Sequence, residues 1–483
     1  DVASKVLGLG DNIQKEYFDH HLTHACYGIY SSGYRKCIAL TIDAVGEKSS
    51  LSIYKYSTEN GPKKVKSISL PFSLGFLYTY FTSLLGFKPN EGEYKMMGLA
   101  PYGKPIYLEN IRRLLDFNQL DPLELKLPKY MYEYDNISYD NKDLADSLGV
   151  KIEDLPLNIN NLERNFQWSA DVASSIQNFL EEVLYLIIDK NIKLIKDFDN
   201  NLIICGGVAL NCTLIRHLYD KYKLNIHVPN SPGDSGSSIG SCVAYYFAYN
   251  YRDKNKHSRE IPTKELAYTG TKINSSNYEY ISSKASDYGL KTILDTNMKK
   301  IQKYIVNYKI GAWCDGASEF GPRALGHRSI ICRHDSLEMK KKVNNLIKHR
   351  ENFRPFAAVF TEIQAKRLFD LMSENINDKN ITNRMHSMMT TLAYSKGQIT
   401  KENSSAIHHD NSCRLQIAYP NNNYFLSLLL KSLQDKENII GLLNTSLNIN
   451  GQPNCETLDD VIETFFLANL DYIYINGKIM LYK

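Results

Sequence analysis

Residues 201–211 read NLIICGGVALN, and residues 224–241 read LNIHVPNSPGDSGSSIGS. The first stretch opens with a run of branched apolar side chains, the pattern of a strand buried on both faces, and breaks at Gly206-Gly207. The second repeats the idea with a short strand, a proline-bearing loop and a Gly/Ser-rich helix start. Strand, glycine turn and helix in repetition predict an α/β nucleotide-binding domain. Outward from this stretch, residues 37–45, CIALTIDAV, predict an apolar strand ending in a carboxylate. Residues 50–55, SLSIYK, alternate as a half-buried strand. Val172, Ile176, Phe179, Val183 and Ile187 recur every three or four positions and predict a helix over 166–195. The longest apolar run, SLPFSLGFLYTYFTSLLGF at 69–87, is about long enough to cross a bilayer. It contains Pro71 and several hydroxyl side chains and lacks flanking basic clusters, so a buried core helix is expected.

Composition changes over residues 250–300, which are polar and rich in Lys, Asn and Ser, with NYRDKNKHSREIPTK as the most charged part. An inter-domain passage is expected there, dividing the chain into units 1–270 and 271–483. The length of 483 residues suits two to four domains. Net charge is only +4, from 57 basic and 53 acidic residues, which argues against a nucleic-acid binder. Any phosphate chemistry must come from local clusters. The nine cysteines are scattered and form no CxxC pair, so buried thiols in a reducing, cytoplasmic setting are expected. The first residues lack the basic start and apolar core of a signal peptide, and no membrane association is expected.

Three constellations carry chemistry. His20 and His24 are four apart, so on a helix they share a face and can share a metal. Asp43 at a strand end and Asp234 in PGDSG would complete a mixed N/O set suited to a divalent transition metal. The plainer alternative is a pair of surface histidines. Gly206, Gly207, Gly233, Gly236 and Gly240 can admit backbone amides to a phosphate or nucleotide, or can serve only as packing turns. Arg323, Arg328, Lys348, Arg350 and Arg354 crowd GPRALGHRS and IKHRENFRPF. Beside rigid Gly-Pro and Arg-Pro turns, such arginines suit a pocket for a small anion, or structural ion pairs. LLNTSLNINGQP adds Asn444, Thr445 and Ser446 as hydrogen-bond donors after an apolar strand.

Read together, DHHLTHA, LTIDAVGE, EGEYKMMGLAPYGKP, CGGVALN, PGDSGSSIG, EFGPRALGHRSI, IKHRENFRPFA and LLNTSLNINGQP resemble the nodulation-type O-carbamoyltransferases, in family order from residue 19 to residue 453. The resemblance implies an α/β protein with two parts. One is a Kae1-like domain of the actin/sugar-kinase/heat-shock ATPase superfold, and the other is an α/β YrdC-like domain. It implies that the second part forms carbamoyl-adenylate from carbamoyl phosphate and ATP, with Mg for the ATP. The first part would transfer the carbamoyl group to a hydroxyl of a sugar or other small acceptor. Carried over, His20, His24, Asp43 and Asp234 would bind a metal, iron or manganese, in the Kae1-like site. Gly206, Gly207 and Asn211 would form the adenine-nucleotide loop. Arg323, Lys348, Arg354, Arg414, Asn444 and Ser446 would surround carbamoyl phosphate and ATP, with Arg323 and Lys348 counted as catalytic. Lys95 lies in a family motif without an assigned role.

Two departures stand out. The family carries a segment before the HHxxH motif that forms the opening strands of the Kae1-like domain, so an incomplete record or a degraded protein is an expectation. Ala44 replaces the usual Gly in LTIDAVGE, and little effect is expected. A fused tRNA threonylcarbamoyl-adenosine synthase and a non-catalytic remnant are the alternatives. The acceptor and the oligomeric state stay open, and acceptor choice is expected to involve the variable stretch 104–165.

Overall fold

Two β-sheets organise the chain in this computed structural model, which describes residues 14–133, 142–151, 153, 162, 164–252, 266–274, 277–294, 298–348, 350–372 and 384–483. The first sheet has five strands: β1 (Lys36–Ile42), β2 (Ser49–Ser57), β3 (Gly61–Ser69), β4 (Asn201–Cys205) and β5 (Asn225–His227). Their order is β3-β2-β1-β4-β5. β1 pairs antiparallel with β2 and parallel with β4, with Ile38 opposite Leu202 and Thr41 opposite Cys205. β4 in turn pairs parallel with β5.

The central strand β1 is buried on both faces, with helices packed against each side of the sheet. Cys37 and Ala39 join one core with Ala25, Cys26 and Ile29 of the His20–Ser32 helix and Val243 and Phe247 of the Ser237–Arg252 helix. Ile38, Leu40 and Ile42 point the other way, into the core formed with Leu74–Leu84, Phe166–Asp197 and Cys212–Tyr222. The expected strands at 37–45 and 201–211 and the helix over 166–195 therefore have counterparts. Two expectations change. β2 does not alternate, because it lies between two layers and Ser49 to Tyr54 are all buried. The apolar run 69–87 is helical only over Leu74–Leu84, where Ser73 accepts from the Phe76 N–H as cap; the stretch before it closes β3 and turns at Pro71.

The second sheet has ten strands: β6 (Lys291–Ile293), β7 (Gly311–Cys314), β8 (Arg328–Arg333), β9 (Ala357–Phe360), β10 (Phe369–Asp370), β11 (Ala393–Ser395), β12 (Ser412–Ile417), β13 (Leu442–Ser446), β14 (Tyr472–Ile475) and β15 (Ile479–Tyr482). Their order is β10-β11-β12-β9-β13-β8-β7-β14-β15-β6. The protein is thus mixed α/β with two sheets. Of the most charged part of the expected inter-domain passage, residues 250–264, all but 250–252 lies outside the described residues.

Polar contacts tie the segments around the two sheets together. Lys95 Nζ lies 2.9 Å from Glu351 Oε1. Arg216 donates to the Asp370 carbonyl at 2.7 Å and to its carboxylate at 2.8 Å. His217 Nε2 lies 3.0 Å from the Tyr394 hydroxyl. The large core of the first sheet also takes in Phe353, Met385 and Leu392.

Candidate functional site

His20 and His24 stand on the first turns of the His20–Ser32 helix, one above the other as four-residue spacing dictates. Asp19 caps that helix through the Leu22 N–H at 3.0 Å, and Glu47 accepts the His20 N–H at 3.0 Å. Asp43 follows the last residue of β1, its carboxylate fixed by the Ala44 N–H at 2.8 Å and the Gly207 N–H at 3.2 Å. Asp234 opens a short 3-10 turn ahead of the Ser237–Arg252 helix. That helix crosses the His20–Ser32 helix at Gly240, where a Cβ would sit 2.0 Å from the Thr23 carbonyl oxygen. Only glycine permits that approach, and it brings Asp234 over the histidines.

The four side chains converge, each offering one ligand atom within 4.8 Å of the others. His24 Nε2 lies 3.3 Å from Asp43 and 3.4 Å from Asp234. His20 Nε2 lies 3.8 Å from Asp43 and 3.4 Å from Asp234. The two Nε2 atoms are 3.0 Å apart. His24 is fully buried, whereas the Asp234 side chain is 79% exposed, so the cluster opens to solvent on the Asp234 side. Asp234, then Asp43, raise the His20 imidazole to about 10. Burial opposes protonation of His24, but the same carboxylates outweigh it. Burial would raise Asp43, yet the two histidines hold it well below the usual range; Asp234 is lowered by the same pair. The cluster therefore calls for positive charge, supplied by protons or by a divalent cation that displaces them. Two imidazole nitrogens and two carboxylate oxygens suit such a cation. One feature departs from the usual metal-ligating histidine: His24 Nδ1 has no hydrogen-bond partner among the described residues.

The Gly-Gly turn packs against this cluster. Gly206 has φ +88°, and a Cβ there would lie 2.1 Å from the Ile42 carbonyl oxygen. Asn211 is buried; its side chain caps the Cys212–Tyr222 helix through the Leu214 N–H at 3.0 Å and donates to Gln177 at 2.8 Å. The side chain of Asn211 is thus committed to structure.

A second site lies in a cleft between segments of the two sheets' layers. Arg354 and Arg414 line it, together with Lys340, Arg350, Tyr94 and Cys212. Arg354 stacks on Tyr94, its guanidinium 4.6 Å from the ring centre, and lies 3.7 Å from Glu351. Arg414 donates to Cys212 Sγ at 3.4 Å, while its buried Nε has no partner among the described residues. Burial, then the neighbouring Arg414, pushes the Arg323 guanidinium down to about 9; burial and Arg354 do the same to Arg350. Arg323, Arg350, Arg354, Arg414 and Lys340 gather here against the carboxylates of Glu351 and Asp410, an excess of positive charge that suits an anion.

Lys348, Asn444 and Ser446 stand apart from the cleft wall. Lys348 ends the π-helical turn Val343–Lys348 and donates to the Ser446 carbonyl at 2.6 Å and the Asn448 carbonyl at 2.8 Å. Asn444 is buried and donates to Gln416 at 2.5 Å. Arg328 is fully buried, its guanidinium spent on backbone carbonyls that include His327 at 2.8 Å and Thr271 at 2.9 Å. It is a structural residue. Lys95 finds its partner in Glu351, the carboxylate beside Arg354. Lys340, His408 and Tyr94 were not singled out from sequence. Lys340 and His408 lie outside the dense arginine motifs, and Tyr94 reaches the cleft only through the tertiary fold.

Two family profiles match this chain: Carbamoyltransferase N-terminus over residues 8–243 and Carbamoyltransferase C-terminus over residues 302–482. An uncharacterized protein of Synechocystis is 29% identical, covering 99% of this chain and 79% of its own length. Nodulation protein NolNO of Sinorhizobium fredii is 26% identical, covering 96% of this chain and 63% of its own length. Nodulation protein NolO of Bradyrhizobium diazoefficiens is 27% identical, covering 94% and 77%. Among solved structures, HypF of T. kodakarensis overlaps 49% of this chain and 37% of its own, at TM-score 0.26 and 16% identity, a likeness too weak to support any inference.

Proposed function

The chain belongs to the nodulation-type carbamoyltransferase family, and from that premise we propose that it is an ATP-dependent O-carbamoyltransferase. It forms carbamoyl-adenylate from carbamoyl phosphate and ATP, then transfers the carbamoyl group to a hydroxyl of a sugar or other small acceptor. The reading divides the work between a Kae1-like unit, residues 1–270, and a YrdC-like unit, residues 271–483.

The observation that carries this reading is the separation of two chemistries. A mixed N/O ligand cluster lies beside the first sheet, and a cation-lined cleft lies where Arg354 and Arg414 meet Tyr94 and Cys212. In the cleft, Arg354 and Arg414 hold the phosphate of carbamoyl phosphate, with Arg323 adding charge from behind; Lys348, Asn444 and Ser446, set back from the wall, brace β13 through Lys348 to the Ser446 carbonyl and Asn444 to Gln416. Enclosure keeps water from the carbamate, which otherwise decarboxylates. At the cluster, His20, His24, Asp43 and Asp234 hold a divalent cation, iron or manganese, which would neutralise charge on the adenylate phosphate. Gly206 and Gly207 offer backbone to the nucleotide; Asn211 contributes by holding that loop to the Cys212–Tyr222 helix. Nine unpaired thiols support a cytoplasmic setting. Among the described residues no helix is long and apolar enough to cross a membrane.

The test is to incubate the full chain with labelled carbamoyl phosphate, ATP, Mg²⁺ and a panel of sugars and hydroxylated metabolites. The reading expects pyrophosphate and AMP to form and label to enter a hydroxyl of at least one acceptor. Label entering an amine, or carbamoylated product formed without ATP, would overturn it.

A further inference from the structure

The cations of the cleft are not equally free. Arg350 donates to Asn344 at 2.7 Å and lies 4.0 Å from the Phe356 ring centre. Arg354 is shared with Glu351 and Tyr94, and Arg414 with Cys212. Lys340 lines the same cleft, half-buried, and its ammonium makes no hydrogen bond or ion pair among the described residues. It stands in the Leu337–Lys342 helix, which runs on into the π-helical turn Val343–Lys348. Its charge is felt by His408, which also lines the cleft and whose Nδ1 is held 3.0 Å from Ser412 Oγ. A half-buried ammonium with three donors and no protein acceptor is poised for a ligand oxygen.

We infer that Lys340 is a further ligand-binding residue of the cleft, its ammonium taking a phosphoryl oxygen of the bound anion. This rests on the cleft's being the anion site proposed above. Two sources share that chemistry, carbamoyl phosphate and the triphosphate of ATP. Burial and Arg350 lower the Lys340 pKa, which keeps the amine reactive and gives a direct readout.

The experiment labels the full chain with pyridoxal 5′-phosphate, whose aldehyde forms an imine with an accessible amine, reduces the imine with borohydride and maps the peptides. Separate arms contain carbamoyl phosphate or ATP, and calorimetry on the same samples records whether each binds. The inference expects strong labelling at Lys340 and protection by at least one ligand; the protecting arm names the source. Lys340→Ala should weaken that ligand about tenfold or more, with Lys340→Arg partly restoring it and the melting temperature unchanged. Binding of both ligands with no protection of Lys340, or Lys340→Ala binding both as tightly as wild type, overturns the inference alone. No binding of either ligand to the wild-type chain overturns the cleft reading and the inference with it.

Discussion

His24 has no exposed surface, yet its Nε2 faces two carboxylates and a second imidazole. Such a residue makes sense only with a cation or a trapped proton at its tip. We predict that the full chain, freed of metal by a chelator, takes up about one equivalent of Mn²⁺ or Fe²⁺, and that His24→Ala weakens this at least tenfold. Metal content after dialysis against graded free metal checks it; unaltered binding by the variant would refute the cluster. The spacing of His20 and His24 was legible in sequence because helical periodicity fixes which face they share. The roles of Asp43 and Asp234 entered only through resemblance and mixed-ligand chemistry, since no local rule brings residues 43 and 234 together. For Arg354, the fork geometry matters: Lys keeps the charge but not two parallel N–H donors. Arg354→Lys should therefore cost carbamoyl phosphate use roughly 1.5–3 kcal/mol, about ten- to a hundredfold in kcat/KM, and ATP use far less. If Arg354 serves only its ion pair with Glu351, the variant will instead melt lower with an unchanged KM for carbamoyl phosphate.

Among elements, the turn after β4 is the most constrained. Gly206 combines φ +88° with a Cβ position 2.1 Å from the Ile42 carbonyl, while Gly149, at φ +65°, has nothing within 4 Å. Gly149→Ala should cost only about 1 kcal/mol, the backbone penalty. Gly206→Ala adds a clash with β1 and should cost at least about 3 kcal/mol, visible as a lower melting temperature. Equal effects would mean that the turn relaxes freely. This turn was readable from sequence because an apolar run cannot pass through Gly-Gly without stopping. The Leu74–Leu84 helix and β2 were read less well. Hydrophobicity marks burial, and both elements are buried, but it says little about where an element ends or whether a strand has one covered face or two. The ten-strand order of the second sheet, with β9 between β12 and β13, has no local signature at all.

At the scale of the whole molecule, buried histidines set the response to acid. Burial pushes His334 and His408 down to about 4 and His386 to about 3, against 6.5 in an unfolded chain. The unfolded state then binds protons more readily. Their stabilisation is complete above pH 6.5 and is lost below it, at about 1.4 kcal/mol per pH unit for each histidine. His217 runs the other way: burial lowers it, but Glu181 at 2.8 Å outweighs burial and the net shift is upward. Its contribution is complete below 6.5 and fades as pH rises through its folded value. Denaturant titrations should show stability falling on both sides of about pH 6.5, with His386→Gln reducing the acid slope and His217→Gln removing part of the alkaline loss, the rest of which belongs to His20 and His24; a pH-independent profile would contradict this. The contacts joining the two sheets, such as Arg216 with Asp370, were not legible in the sequence. They depend on where distant segments land. The central claim is that donor chemistry and acceptor transfer occupy separate sites. Phosphate release from carbamoyl phosphate and carbamoyl transfer, measured on the same samples of wild type, His24→Ala and Arg354→Lys, test it most directly. The account predicts that His24→Ala still releases phosphate but transfers nothing, while Arg354→Lys loses both in proportion. Equal loss of both half-reactions in folded His24→Ala would contradict it.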